Sequence, residues 1–336
     1  MSLILGIETS CDETGLAVVK DGTTVLSNVV ISQIDTHRAF GGVVPEIASR
    51  MHTEVIYQLT QRALEEAGLS ATRGAAPVDA IAATFGPGLM GSLLVGLSFG
   101  RAAAAAWHIP FLPVHHIEGH LFSVFLGERR PEYPFLALVV SGGHTQIIRC
   151  RAPHQYQVLG TTRDDAVGEC FDKVARLLNL PYPGGPSIQK AAAEGDDNAY
   201  SFPIGLSAKS TLDFSYSGLK TAVLYALREH PDAPVADVAA SFQRAAVDAL
   251  ILKTAAALEE TGIHRLVIAG GVAANRRLRE SAAGLDAKLF LPDMAYCVDN
   301  GAMIAAAAAS RLTHQCSLPP DIPAAATITL MDSAGN

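Results

Sequence analysis

Leu3-Ile-Leu-Gly-Ile7, Glu8-Thr-Ser-Cys-Asp-Glu-Thr14 and Gly15-Leu-Ala-Val-Val-Lys20 form one continuous stretch near the start of the chain. Two apolar runs of strand length flank a short polar segment, the pattern of a strand, a turn and a strand. A third strand candidate follows at 24–31, so the chain opens as a hairpin-led meander. The pattern returns further on, where Phe135-Leu-Ala-Leu-Val-Val140 leads through Ser141-Gly-Gly-His-Thr145 into Gln146-Ile-Ile-Arg-Cys150. The two hairpins share little sequence, yet the repeated pattern reads as an internal structural echo. A chain of 336 residues also exceeds what one core usually supports. Two similar α/β lobes of about 100–200 residues each, with a ligand cleft between them, are the expectation.

Both turns carry chemistry. In the first, backbone N–H groups suit a phosphate chain, and Asp12 or Glu13 suits a cation. A polar hairpin turn capped by Ser and Thr reads equally well. In the second, Gly142 and Gly143 permit close backbone approach to a phosphate, or simply a tight turn.

Hydrophobic residues make up 49% of the chain and charged ones only 17%, with 29 Gly and 18 Pro, which excludes disorder and fits a compact, loop-punctuated enzyme. The formal charge of −8 argues against a broad basic surface that binds nucleic acid unaided. Five scattered cysteines without a C-x-x-C pair read as reduced thiols. The N-terminus lacks a basic n-region and a long apolar h-region, and the Ala-rich runs at 102–106 and 305–309 are too short to span a bilayer. A cytoplasmic protein with no membrane association is expected.

Apolar spacing predicts an amphipathic helix from Pro45 to Gly68 and a buried helix from Leu93 to Trp107, the latter after a strand over Asp79–Phe85 and the loop Gly86-Pro-Gly-Leu-Met-Gly-Ser92. A strand, glycine loop and helix can present N–H groups to an anion. Neither G-x-G-x-x-G nor G-x-x-x-x-G-K-[ST] is present, so this is not a dinucleotide fingerprint or a P-loop. A short strand, Phe111–Val114, then delivers His115-His-Ile-Glu-Gly-His120. On a helix His116 and His120 share a face and can offer two imidazoles to one cation. In the zinc-protease pattern H-E-x-x-H a carboxylate directly follows the first His. Ile117 holds that place here, and Glu118 points elsewhere. Two ordinary histidines remain the alternative, unless a third ligand lies elsewhere in the chain.

Asp164 to Leu178 reads as a helix with acids in its first turn, and Glu169 and Asp172 share a face suited to ribose hydroxyls or a base. Tyr182-Pro-Gly-Gly-Pro186 is a sharp turn, and residues 201–214 are irregular. Helices are expected at 217–229 and 235–262. The strand Arg265–Ala269 ends in Gly270-Gly-Val-Ala-Ala-Asn275, read as a helix opening on an anion cradle, with Asn275 placed to hydrogen-bond adenine or phosphate. Asp299, ahead of the last Ala-rich helix, is either its N-cap or the missing third ligand.

Taken in order, Gly6–Thr14, Gly42-Gly-Val-Val-Pro-Glu46, His115–His120, Val140–Thr145, Tyr182–Pro186, Gly270-Gly-Val272 and Asp299-Asn-Gly-Ala302 closely resemble the motifs of the TsaD family. The resemblance covers roughly residues 3–310, and the tail after about Leu312 adds little. It implies the two-lobed fold of actin, hexokinase and the heat-shock ATPases (ASKHA), with duplicated lobes and an interlobe nucleotide cleft. The lobes are expected at 1–113, with a return near 305–336, and at 114–304. The family transfers a threonylcarbamoyl group from threonylcarbamoyl-AMP to N6 of the adenosine just 3′ of the anticodon in tRNAs reading ANN codons. By resemblance His116, His120 and Asp299 bind one iron or zinc ion, Fe(II) or Zn(II), per subunit. Likewise Val139, Val140, Ser141, Gly142, Gly143, Asp172, Gly185 and Asn275 bind the adenylate, with ATP as a related nucleotide ligand and Mg as a further ion. Glu169 joins Asp172 on the residue reading above. Asp12 or Glu13 is the catalytic candidate for accepting the amine proton or positioning the substrate. Expected partners are tRNA and TsaB-like and TsaE-like proteins, with the adenylate supplied by a TsaC-like enzyme. Arg276, Arg277 and Arg279, Arg129 and Arg130, or a partner surface are expected to attract the tRNA. A small-molecule kinase of the same fold and a metalloprotease are the rival readings. The first needs only Mg²⁺ held through phosphates, and the second needs the carboxylate that Ile117 replaces.

Overall fold

The computed structural model describes residues 2–70, 75–208 and 210–330. Two compact units emerge, one of Met1–Pro131, Ala152–Tyr156 and Pro292–Asn336, the other of Glu132–Arg151 and Gln157–Leu291.

In the first unit the opening stretch forms strands β1 (Leu3–Glu8), β2 (Glu13–Lys20) and β3 (Thr24–Ser32), followed by a short helix α1 (Ile34–Arg38) and the long α2 (Pro45–Glu66). Strand β4 (Ala80–Gly86), helix α3 (Met90–Trp107), strand β5 (Phe111–His115) and helix α4 (His116–Ser123) complete its continuous part. The strands lie in the order β3-β2-β1-β4-β5, antiparallel through the meander and parallel from β1 to β4 to β5. Period-two alternation sends Leu5, Ile7, Leu16 and Val18 to one face, against Ile56, Leu59 and Leu97 of α2 and α3. Ile4, Ala17 and Val19 go to the other.

In the second unit β6 (Phe135–Val140), β7 (Thr145–Ala152) and β8 (Gln155–Thr161) form the second meander. After it come α5 (Val167–Leu177), α6 (Gly184–Ala192), α7 (Ser217–Glu229), α8 (Val235–Thr261), β9 (Arg265–Ala269), α9 (Arg276–Ala282) and β10 (Lys288–Phe290). The sheet order is β10-β9-β6-β7-β8, with β6 antiparallel to β7 and parallel to β9. Each sheet is therefore a three-strand meander extended by two parallel strands, which is the expected duplication. Strands β8 and β10 escape the sequence reading. β8 carries exposed polar residues, and β10 is three residues long with only Phe290 buried.

The last helix, α10 (Gly301–Thr313), covers the open face of the first sheet with Ala302–Ala309, all buried. Its small side chains let the helix settle against the strands. A Cβ on Gly6 would lie 2.1 Å from the Gly301 carbonyl oxygen, and one on Gly15 would lie 2.8 Å from Gly301 N. These glycines seat the N-terminus of α10 beside the turn between β1 and β2.

The two units do not divide at a single point along the chain. The first unit runs past residue 113 to Pro131 because β5 pairs with β4 and carries α4 with it, and the return begins at Pro292, ahead of residue 305. Residues 331–336 of that expected return, and Lys209 of the 201–214 loop, lie outside the described residues. The tail packs on the first unit. Leu318, Ile322, Ala324 and Ile328 pack on the core beneath α3, and Ala325 N donates to Phe85 O at 2.8 Å. Arg101 Nε donates to Pro320 O at 3.0 Å. Among the described residues no helix is long and apolar enough to cross a membrane.

Candidate metal centre and nucleotide loops

Where β5 passes into α4, His115 is still extended and acts as the helix cap: its Nδ1 accepts from Ile117 N at 3.2 Å. Its Nε2 donates to Ile328 O at 3.3 Å, and burial lowers its pKa to about 4. Its ring is thus committed as a cap. One residue on, the helical turn begins, and His116 and His120 stand together with ring centroids 4.7 Å apart.

Asp299 meets them. Its Oδ1 lies 3.2 Å from His120 Nε2 and 3.7 Å from His116 Nε2, and one ligand atom from each residue falls within 4.8 Å of the others. Three ligands at about 2.0–2.1 Å around a tetrahedral ion stand roughly 3.3 Å apart, so the spacing fits a single cation. A second observation agrees. His120 is fully buried, yet neither ring nitrogen has a hydrogen-bond partner. The 3.2 Å approach to Asp299 lacks hydrogen-bond alignment, as expected of two groups aimed at a common third atom. An unpartnered buried polar atom costs about 1–3 kcal/mol, which a bound ion would offset.

Asp299 is not the cap of α10, because its neighbour takes that role: Asn300 Oδ1 accepts from Met303 N at 3.0 Å. The N-cap reading of Asp299 is thereby displaced by one residue.

Glu8, at the end of β1, was not singled out from sequence. Its Oε2 lies 3.1 Å from His116 Nδ1, with Ser10 Oγ 3.2 Å from the same nitrogen. With its proton on Nδ1, His116 donates to Glu8 and leaves Nε2 as the ligand, the usual orienting device of metal-bound histidine. Thr84 Oγ1 and Ser10 N donate to the same carboxylate at 2.6 and 2.5 Å. Burial penalises the His116 imidazolium, but Asp299 and Glu8 outweigh it and raise its pKa to about 9. Burial also opposes charge on Glu8, whose pKa is nonetheless lowered, chiefly by His116. The sequence signal for Glu8 is a carboxylate closing an otherwise apolar strand.

The catalytic candidates sit in the adjoining turn. Asp12 is buried, and burial followed by the nearby Asp12 and Asp299 carboxylates pushes the Glu13 pKa well above the usual carboxylate range. Ser32 Oγ donates to Glu13 Oε1 at 3.2 Å. His52 anchors the turn, with Nε2 donating to Cys11 O at 2.9 Å. Glu118 faces away from all of these, paired with Arg311 and His154. No carboxylate of α4 therefore serves as a base beside the cluster. None of the five cysteines is joined in a disulfide.

In the second unit Val139 and Val140 are buried in β6 and contribute backbone, not side chains. Ser141 Oγ accepts from His144 N at 3.1 Å and closes the turn. A Cβ at Gly142, Gly143 or Gly185 would meet nothing within 4 Å, so these backbones are open on one side. Gly270, at φ 94°, brings the second glycine loop against Val140: a Cβ there would lie 2.4 Å from Val140 O. Asp172 Oδ1 accepts from Gly184 N at 2.6 Å, and this brace holds the turn that presents Gly185. Glu169, on the same helix, pairs with Lys173 at 2.9 Å. The acids Asp164 and Asp165 precede α5, where Asp164 caps α7 through Ser217. Asn275 is likewise a cap. Its Oδ1 accepts from Leu278 N at 3.0 Å and its Nδ2 donates to Gln243 Oε1 at 2.9 Å, after a single 3-10 turn over Gly271–Ala274. A small polar cavity of about 120 Å³, lined by Gln189, Gln243 and Arg276 among others, adjoins it. Of the arginines expected to attract polyanion, Arg130 donates to Gly127 O, and those around α9 have partners of differing strength. Arg277 pairs with Asp197 at 2.7 Å, Arg276 lies 3.6 Å from Glu280, and Arg279 donates to Ala273 O.

The repeated sheets place the chain in the actin-like ATPase (ASKHA) fold class. Full-length HypF in its phosphate- and nucleotide-bound form is similar at a TM-score of 0.60 and 13% identity, over 93% of this chain and 55% of HypF. The ADPNP-bound activator of 2-hydroxyisocaproyl-CoA dehydratase from Clostridium difficile is similar at 0.53 and 13%, over 93% of this chain and 97% of that one. At these identities the likeness concerns the fold alone. Sequence similarity goes further. Residues 24–306 match the family described as TsaD, tRNA N6-adenosine threonylcarbamoyltransferase. Proteins of that name from Caldicellulosiruptor saccharolyticus and Kosmotoga olearia are 51% and 50% identical, over 91% and 90% of this chain and 91% of each relative. The chain belongs to this family.

Proposed function

We propose that the protein transfers the threonylcarbamoyl group of threonylcarbamoyl-AMP to N6 of the adenosine 3′ of the anticodon in ANN-decoding tRNAs. The observation that carries the chemistry is the convergence of His116, His120 and Asp299, with both nitrogens of buried His120 unpartnered. Two neutral imidazoles and a carboxylate suit one divalent Fe(II) or Zn(II) ion. Such an ion supplies Lewis-acid stabilisation of charge on the carbonyl and phosphate oxygens.

The exocyclic amine is a weak nucleophile, so orientation and charge stabilisation must do most of the work. The chain's own groups divide the task. Glu8 orients His116, and Asn300 takes the cap of α10 next to Asp299. Asp12 or Glu13 accepts the amine proton or positions the substrate, and burial together with the Asp12 and Asp299 carboxylates raises the Glu13 pKa, which makes its ionised form the stronger base. The open backbones at Gly142, Gly143 and Gly185 let the phosphate and ribose of the adenylate approach closely, with Val139, Val140 and Ser141 as the rigid base of that loop. Asp172 acts through the turn it braces. Asn275 shapes the loop from its capping position, and Glu169 stays at the rim with Lys173. ATP occupies the same loops, with Mg on its phosphates.

A net charge of −8, with Arg277 paired to Asp197, leaves the chain alone with weak attraction for tRNA. TsaB-like and TsaE-like partners supply it, and a TsaC-like enzyme supplies the adenylate, in the cytoplasm. The protease alternative lacks its base, because Glu118 is consumed by Arg311 and His154. The kinase alternative leaves the histidine cluster without a use. The test is to mix purified protein, threonylcarbamoyl-AMP and unmodified tRNA, with and without chelator and partners, and to look for the modified nucleoside. Its absence under all conditions would refute the proposal.

A further inference from the structure

Glu118 is fully buried, charged, and unused by the chemistry above. It lies midway between His116 and His120, and at about 100° per residue it projects from the opposite side of α4. There Arg311 grips it with two prongs, Nε to Oε2 at 2.8 Å and Nη2 to Oε1 at 2.9 Å. His154 Nδ1 and the Tyr156 hydroxyl donate to Oε1 at 2.7 and 2.9 Å. Arg311 belongs to the last turn of α10, the helix that Asp299 precedes. Between these points the two helices touch at a glycine: a Cβ on Gly119 would lie 2.7 Å from Ile304 Cδ1 and 3.2 Å from Met303 Cγ. Helix α4 is thus mounted on α10 by a smooth pivot at Gly119, with the histidines on one side and Glu118 on the other.

We infer that Glu118 is a positioning residue for the ion: gripped by Arg311, it sets the roll of α4 about the Gly119 pivot and so aims His116 and His120 at Asp299. The inference rests on the proposed ion site. A ring nitrogen stands about 6 Å from the helix axis, so a roll of 10° displaces it by about 1 Å. Ligand distances tolerate only about 0.2 Å, so a few degrees decide affinity. All eight residues of α4 are buried, so packing confines the helix, and the two-pronged Arg311–Glu118 pair fixes its final angle about the Gly119 contact. The glutamate between the two histidines is therefore the anchor of the ligand helix, in place of a base beside the ion.

The test separates aiming from mere stability. The full chain is stripped of ions, then titrated with Co²⁺ by absorption and with Zn²⁺ against a chelating dye, alongside thermal unfolding of the ion-free form. Glu118→Gln leaves the Arg311 charge buried without its counter-charge, and should lower both the melting temperature and the Zn²⁺ affinity, the latter by about 10–100-fold. The double variant Glu118→Gln/Arg311→Met removes the stranded charge. It should regain melting temperature while keeping the weakened affinity and an altered Co²⁺ spectrum. If affinity returns together with stability, or Glu118→Gln binds as the unaltered chain does, the inference is overturned. Should the single variant fail to fold, the double variant decides alone. His120→Ala is the separate control: equal Zn²⁺ affinity in it and the unaltered chain would refute the ion site itself.

Discussion

Loading an ion into the stripped protein should release close to one proton at pH 7.5. His116 Nε2 would be a ligand, yet without an ion its imidazole has a pKa of about 9, held there by Asp299 and Glu8 against burial. At pH 7.5 such a group is about 97% protonated, so the ion must displace that proton. Apparent affinity should rise about tenfold per pH unit below pH 9, hence about 100-fold between pH 6.5 and 8.5, and level off above. The same shift governs the ion-free fold. The folded pKa lies above the unfolded value of 6.5, so protonated His116 contributes its full stability below pH 6.5 and loses it as pH rises through 9. A shift of that size corresponds to about 3 kcal/mol. Calorimetric titration in buffers of different ionisation enthalpy counts the protons, and urea unfolding at pH 6 and pH 9.5 measures the second effect. Asp299→Asn should remove most of the proton release along with tight binding. Ion binding without proton release, with a flat pH profile, would refute the electrostatic picture of the cluster.

Three further outcomes follow from the geometry. Glu8→Gln should fold and weaken Zn²⁺ binding about 10–100-fold by loosening the orientation of His116, read by chelator competition. Gly6→Ala should destabilise by at least the upper end of about 1–3 kcal/mol, since its Cβ would press on the Gly301 backbone, whereas Gly142→Ala should leave urea stability nearly unchanged because nothing lies within 4 Å. Truncation after residue 316 should lower the melting temperature and loosen α4, because Ala325, Ile322 and Ile328 tie the tail to Phe85, Arg101 and His115. Equal melting temperatures for the full and shortened chains would contradict that role.

What the sequence determined by itself was whatever repeats at short range. Period-two and period-3.6 patterns located the first meander, the second hairpin, the buried helices and the two histidines on one helical face, since these depend on neighbours a few residues apart. The order of the motifs along the chain was enough to point to the family. Tertiary structure decided the rest. Whether Asp299 capped a helix or met the histidines depended on Asn300 taking the cap, and on Gly6 and Gly15 letting α10 settle beside the first turn. Asn275 and Asp172 show the converse: both side chains answer to backbone groups that only the folded loops bring within reach. The partners of Glu8 and Glu118 were silent in the sequence, because a carboxylate acquires its role from groups distant along the chain. Burial and charge complementarity act through space, and only the packed chain specifies which groups they join.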